Sequence, residues 1–370
     1  MAEQDSASAG TDTPAGPLAG IRIVEFGGLG PVPFAGMLLA DMGAEIVRID
    51  RIGGSPFPSQ AVDRGRRIVE LDLKDGAALA SVIKLIDHAD ALIEGFRPGV
   101  MERLGLGPDV VHARNKRLVY GRMTGWGQTG PLAQSPGRDI NYIAITGALA
   151  AIGSRKGTPL PPLNLVGDLG GGALYLVMGV LAALLSARAT GTGQVIDCAM
   201  VDGAASLMTQ FYEWHGEGSW TDSRGENLLD GGAPFYGAFE CADGAFISLA
   251  AMEPRALAQF CAEFGIDDPA LLEVPTNWPD LREQVRLAVL LKSCAQWCEM
   301  LEASEICVAP VLALADAPQH PHLAMRETFI AVDGAPRPNV APRFASTPSR
   351  QRASTHEHSL EAIVRDWQQR

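Results

Sequence analysis

Several features that would place a chain in a large functional class are missing from this 370-residue sequence. Its six cysteines (Cys198, Cys241, Cys261, Cys294, Cys298, Cys307) carry no metal-ligand spacing. Cys294 and Cys298, four apart, would share a helix face, but no histidine or acid stands at a matching interval. That leaves ordinary buried thiols and no metal site. Positive charge is not in excess. Lys+Arg number 30 against 43 Asp+Glu, for a net charge of -13, which argues against nucleic acid as the main partner. No internal repeat and no heptad run occur, which excludes a solenoid or a coiled coil. Met1 to Gly16 is Ser/Thr/Ala/Gly-rich and acidic, lacks an apolar h-region, and reads as the disordered tail of a cytoplasmic protein. Long apolar runs are scarce as well. Leu169 to Ala187 alone is long enough to span a membrane. It opens on Gly170-Gly171-Gly172 and is flanked by soluble βα patterns, so a buried helix and no membrane span are expected.

A hydrophobic share of 47% and a charged share of 20% fit a globular chain with a sizeable core, and the length suits about two domains. Strand runs alternate with helical ones. Ile21–Phe26, Glu45–Asp50, Arg67–Leu73, Ala89–Glu94 and Leu118–Arg122 are predicted strands, with helices over 34–42 and 77–88. Gln194–Asp197 is a last strand. The pattern predicts an α/β fold with a parallel, doubly wound sheet. The first turn, Gly27-Gly28-Leu29-Gly30-Pro31, resembles a dinucleotide fingerprint only weakly, because Pro31 follows the third glycine. The composition shifts at Thr221–Pro234, which reads as a linker. Beyond it, Phe239–Phe246 reads as a hairpin about an Asp-Gly turn. Helices begin near Glu253-Pro254, Asp280 and Ser293, and Val308–Leu314 is an edge strand, together a smaller α+β domain.

Chemistry concentrates in two places. Arg51, Lys74 and Arg97 each fall just past a strand's carboxyl end, where ligands of such sheets gather. Three cations on one rim suit a polyanion such as a nucleotide or coenzyme A, or else are solvated loop charges. The second place is Pro161-Pro162-Leu163-Asn164-Leu165-Val166-Gly167-Asp168. Asp168 is predicted as the N-cap of the long apolar helix, with glycines baring the backbone N–H groups of its first turn. Such a carboxylate is an acid, base or nucleophile, or a plain cap. Asp139 is read as the cap of another helix, with Arg138 at its entrance.

The segments VRIDR (Val47–Arg51), DLK (Asp72–Lys74), EGFRPGVMERLG (Glu94–Gly105), RMTGWGQTGP (Arg122–Pro131), RDINY (Arg138–Tyr142), PPLNLVGDLGGG (Pro161–Gly172), GQVIDCAMVDG (Gly193–Gly203), LDGGAPFY (Leu229–Tyr236) and ECADG (Glu240–Gly244) together resemble the alpha-methylacyl-CoA racemases of the family III CoA transferase (CaiB/BaiF) superfamily. The resemblance covers roughly residues 17–350. It implies a large CoA-binding domain over 17–220, a linker over 221–233, a small domain over 234–330, and a segment 331–370 returning to the large domain. It also implies two linkers between the lobes and an interlocked homodimer acting on acyl-CoA in lipid metabolism, with no cofactor beyond the CoA of the substrate. By the same resemblance Arg51, Leu71, Asp72, Leu73, Lys74, Gly95, Phe96, Arg97 and Arg103 hold CoA. Gly137, Ile140, Asn141 and Tyr142 line the thioester beside Asp139.

Family racemases work with the aspartate matching Asp168 and a histidine just before the DINY motif. A glutamate of the partner chain, matched by Glu253, orients that histidine. Here the histidine's place is taken by Arg138, which stays protonated and cannot serve as an ordinary base. Three accounts remain open. Arg138 pairs with Glu253 and leaves one-base chemistry to Asp168, with proton return through water. Another group such as His215 supplies the second base. Or Arg138 grips a carboxylate or enolate oxygen in a different acyl-CoA reaction. A purely structural Arg138–Glu253 ion pair is the plain alternative. The functions implied are racemisation or epimerisation of a 2-methylacyl-CoA, CoA transfer through Asp168 as nucleophile, or acyl-CoA binding alone.

Overall fold

The computed structural model describes residues 16–55 and 57–369. The expected N-terminal tail therefore lies almost wholly outside the described residues. Contacts divide the chain into two units.

The first unit contains residues up to 136, 168–200 and 337–370. Its strands are β1 (Arg22–Phe26), β2 (Glu45–Asp50), β3 (Arg66–Glu70), β4 (Ala91–Glu94), β5 (Val119–Thr124) and β6 (Val195–Ala199). They form a parallel sheet in the order β3-β2-β1-β4-β5-β6, with the short C-terminal strand Thr355–His356 added outside β3. The α/β reading with a large parallel sheet therefore stands. β4 and β5 are buried at every position, as strands covered on both faces must be. The C-terminal helix Leu360–Gln369 packs on helix Gly76–Ile86 through Leu360, Ile363, Val364 and Trp367.

The apolar helix departs from its predicted start. A π-helical turn, Leu165–Leu174, runs into the α-helix Tyr175–Thr190. Asp168 is thus inside the first turn and not its N-cap, because the glycine-rich sequence admits a wider coil that begins before it. Leu165–Thr190 is the one helical run among the described residues long and apolar enough to cross a membrane. Its inner face, Leu176, Val177, Val180, Ala183, Leu184 and Ala187, is buried, and the helix packs on β5 and β6. Gly121 of β5 permits the approach: a Cβ there would stand 2.9 Å from Leu176 Cδ1.

The second unit contains residues 137–167 and 201–336. β7 (Tyr236–Glu240), β8 (Phe246–Ala250) and β9 (Cys307–Pro310) form an antiparallel sheet in that order, so the expected hairpin and the Pro-bearing edge strand are both present. Helices Pro254–Phe264, Trp278–Val289 and Cys294–Leu301 accompany it, sharing with the sheet a core that includes Phe235, Phe260, Trp278 and Trp297. Residues 137–167 and 201–220 cluster with this unit and not with the sheet that flanks them in sequence. The stretch read as a linker over 221–233 is tied down locally. Asp230 accepts N–H bonds from Gly225, Asn227 and Gly232 at 2.7–3.1 Å, and Asn227 donates to the Thr221 and Ser223 carbonyls. Turn-forming composition here marks side-chain-to-backbone bonding, not a free connection.

Candidate active site

Parallel register brings the carboxyl ends of β1, β2 and β3 to one edge, with Phe26 opposite Ile49 and Asp50 opposite Glu70. The loops leaving that edge and the end of β4 enclose a cleft of about 410 Å³, lined by Gly27, Gly28, Leu29, Arg48, Asp50, Arg51, Gly54, Ser55, Leu71, Asp72, Leu73, Lys74, Phe96, Val100 and Leu104. That volume lies within the range of small-molecule sites, about 300–1,000 Å³. Of the nine residues named for CoA, six line it: Arg51, Leu71, Asp72, Leu73, Lys74 and Phe96. Gly95, Arg97 and Arg103 do not. Gly95 sits against Val32, whose Cγ2 is 3.0 Å from where a Cβ would be, and Arg103 Nη1 folds back over Gly99. Asp72 Oδ1 accepts the Lys74 N–H at 3.0 Å and shapes the third loop. Arg51 Nε donates to the Gly54 carbonyl at 3.2 Å and stays exposed.

Part of the cleft floor, through Arg48 and Asp50, belongs to an ionic cluster that sequence reasoning missed. Arg66 Nε meets Glu25 Oε2 at 2.8 Å, and Arg48 reaches Asp63 at 2.6 Å and Asp50 at 3.1 Å. Arg66 also donates to the Pro33 carbonyl. Burial holds the Glu25 carboxyl above its ordinary range, against the pull of Arg66 and Arg48. A signal was available: charges inside apolar strands, as in EIVRID and RIVEF, have to find one another when both sheet faces are covered. Helix Pro31–Asp41 passes close enough that a Cβ on Gly36 would stand 2.1 Å from Glu25 Oε2.

The first glycine turn packs against two aspartates. A Cβ on Gly27 would stand 1.8 Å from Asp50 Oδ1, and one on Gly30 would stand 2.8 Å from Asp168 Oδ2. Asp50 is ion-paired with Arg48 at 3.1 Å, so its carboxylate beside the turn is neutralised. Gly30 has φ +70°, open to glycine and costly for other residues. The turn thus joins the cleft, through Gly27, Gly28 and Leu29, to Asp168, whose side chain is half-buried.

In the second unit, Arg138 is the N-cap of helix Asp139–Ala144 and Asp139 its first residue, the reverse of the expected capping. The extended backbone of Arg138 begins the helix, and Asn141 Oδ1 accepts its N–H at 3.0 Å. The exposed guanidinium donates to the Gly137 carbonyl at 3.0 Å. Tyr142 is buried with its ring over Gly137, and Ile140 is exposed. Asp139 is buried against Gly167, where a Cβ would meet Asp139 Oδ1 at 2.4 Å. The RDINY and VGD segments thus touch through Asp139 and Gly167. Glu253 is the exposed N-cap of helix Pro254–Phe264, and its side chain makes no capping bond. No ion pair links Arg138 to Glu253 within the chain among the described residues. His215 lies in the last turn of helix Thr209–Glu217, 3.4 Å from Asp222, in a separate pocket with Phe211, Tyr212 and Trp220.

Comparison with known proteins places these features in a lineage. Residues 18–356 match the family described as CoA-transferase family III. The chain is 39% identical over 354 residues to the alpha-methylacyl-CoA racemase of Mus musculus, covering 94% of this chain and 92% of that one. Against the alpha-methylacyl-CoA racemase of Homo sapiens it is 39% identical over 337 residues, covering 90% and 87%. The orthorhombic crystal structure of Rv3272 from M. tuberculosis superposes with a TM-score of 0.76 at 28% identity, covering 93% of this chain and 98% of that one.

Proposed function

Since the chain belongs to CoA-transferase family III, we propose that it isomerises an acyl-CoA, racemising or epimerising the α-carbon of a 2-methylacyl-CoA thioester through an enolate. The observation that carries this reading is the turn Gly27–Gly30, which lines the cationic cleft at one end and abuts Asp168 at the other. CoA lies in the cleft, with Arg51 and Lys74 facing its phosphates. Arg97 and Arg103, on the loop and short helix beyond β4, add positive charge from outside the lining. Asp168 removes the α-proton, the enolate oxygen is held by fixed donors, and a proton returns to the opposite face. The names of the relatives at 39% identity favour isomerisation over transfer.

Arg138 does not take the second proton, since its guanidinium stays charged. It serves instead as a donor to the thioester or enolate oxygen, and water or another group returns the proton. We further propose that two linkers join the two lobes of each chain and that two chains interlock as a homodimer, in which Glu253 of one chain works with Arg138 of the other. The outward face of the long helix supports a second copy, since Leu174, Met178 and Leu185 are solvent-exposed apolar residues on one side of it. No cofactor beyond the substrate's CoA is needed, and a cytoplasmic place in lipid metabolism suits the reaction.

The test is α-deuterium uptake by a 2-methylacyl-CoA in deuterated water. Asp168→Asn should lower it by about 10²–10⁴-fold, the usual worth of a general acid–base, with CoA affinity kept. Absence of uptake by the unaltered protein overturns isomerisation. The second reading is CoA transfer, which the family itself favours, with Asp168 forming an anhydride and then a thioester. Hydroxylamine trapping that modifies Asp168 in the presence of acyl-CoA would decide for it.

A further inference from the structure

The wall of the cleft beyond β4 rests on a buried carboxylate that plays no part in the chemistry above. Glu94 ends β4 and is 1% exposed. Its Oε2 accepts the Phe96 N–H at 2.7 Å, and its Oε1 accepts from Arg122 Nε at 3.2 Å. Arg122, on β5, also reaches Glu102 at 2.9 Å. Glu102 belongs to helix Val100–Arg103, and Phe96, Val100 and Leu104 all line the cleft. One guanidinium therefore ties the loop that carries Phe96 to the helix that carries Val100.

We infer that Glu94, Arg122 and Glu102 form a brace that fixes this wall for the coenzyme, with Glu94 as a positioning residue for acyl-CoA binding. The inference rests on the reading of the cleft as the CoA site. A buried charge is expensive unless fully bonded, and a location for it next to a ligand wall, where an apolar residue would pack as well, points to orientation as its use. Burial raises the Glu94 carboxyl to about 7, with the Phe96 N–H and Arg122 pulling the other way. The titratable groups facing it are Arg122 and the neutral phenol of Tyr120 from β5, and Glu102 from the short helix. Protonation removes the carboxylate charge from both bonds and loosens the wall.

The experiment measures KM, kcat and CoA affinity between about pH 5.5 and 8.5, the span across which such a group titrates. In the unaltered protein KM rises as pH falls. Glu94→Gln, which cannot ionise, raises KM about tenfold at pH 8, the worth of one charge-assisted bond. It leaves kcat within about twofold and flattens the difference in KM between the pH limits. Glu102→Gln, at the open rim, should raise KM about threefold and reports even where Glu94→Gln folds poorly. Unchanged KM in both variants, or equal losses in KM and kcat, overturns the brace while leaving the CoA site intact. Failure of the unaltered protein to bind CoA by calorimetry removes the site and the brace together.

Discussion

Gly30→Ala puts the central geometry at risk without replacing any ionisable group. The added Cβ would stand 2.8 Å from Asp168 Oδ2 and 3.1 Å from its Cγ. A carbon and an oxygen rest at about 3.4 Å, so roughly 0.5 Å must be found. The flexible carboxylate yields before the backbone does, and Asp168 moves. A misplacement of about 1 Å costs about 10²-fold in rate, so half that distance predicts a loss of about tenfold in kcat. The φ of +70° at Gly30 adds backbone strain of about 1–3 kcal/mol to the folded state. Gly28→Ala is the matched control, since a Cβ there meets nothing within 4 Å. The assay is the initial rate of α-deuterium uptake, with CoA affinity from calorimetry and stability from urea melts. If Gly30→Ala turns over like the unaltered protein while its melt shows the expected strain, Asp168 is not the group that takes the proton. If both alanine variants lose rate equally, crowding of the cleft, not displacement of the carboxylate, is the cause.

Gly36→Ala should destabilise the first unit by about 3–5 kcal/mol, the range for disrupting a buried ion pair. Its Cβ would fall 2.1 Å from Glu25 Oε2 and 2.5 Å from Arg66 Nη2, and those side chains have no room to shift. A urea midpoint close to that of the unaltered protein would refute this. Glu94 makes a pH-dependent contribution to stability. Its folded carboxyl, raised to about 7 from 4.5, binds a proton more tightly than the unfolded chain does. Its stabilisation is therefore present below about 4.5 and lost as pH rises through about 7, amounting to about 3 kcal/mol. Glu94→Gln removes this slope, so the variant should gain stability relative to the unaltered protein between pH 5 and pH 8. Parallel curves for the two would show that Glu94 does not titrate in that window.

The sequence by itself determined what local pattern can carry. Alternating apolar strands and helices specified the parallel sheet, because strands covered on both faces must be apolar throughout. Arg51 and Lys74 were legible as rim residues because the carboxyl end of a strand is a position along the chain. Asp168 stood out as a carboxylate among glycines, and Arg138 as a charge that cannot serve as a base. Tertiary structure decided the rest. That Gly30 is spaced for Asp168, and Gly27 for Asp50, depends on segments brought together only when the sheet forms, and no spacing rule encodes such a meeting. The pairing of Glu25 with Arg66 and the reach of Arg122 to both Glu94 and Glu102 likewise join separate strands and helices. The widened helical turn at Asp168 and the assignment of residues 137–167 to the second unit followed packing, not composition. Patterns of hydrophobicity report which face a residue takes, whereas contact between two polar groups far apart in the chain is set by how the elements come to rest on each other.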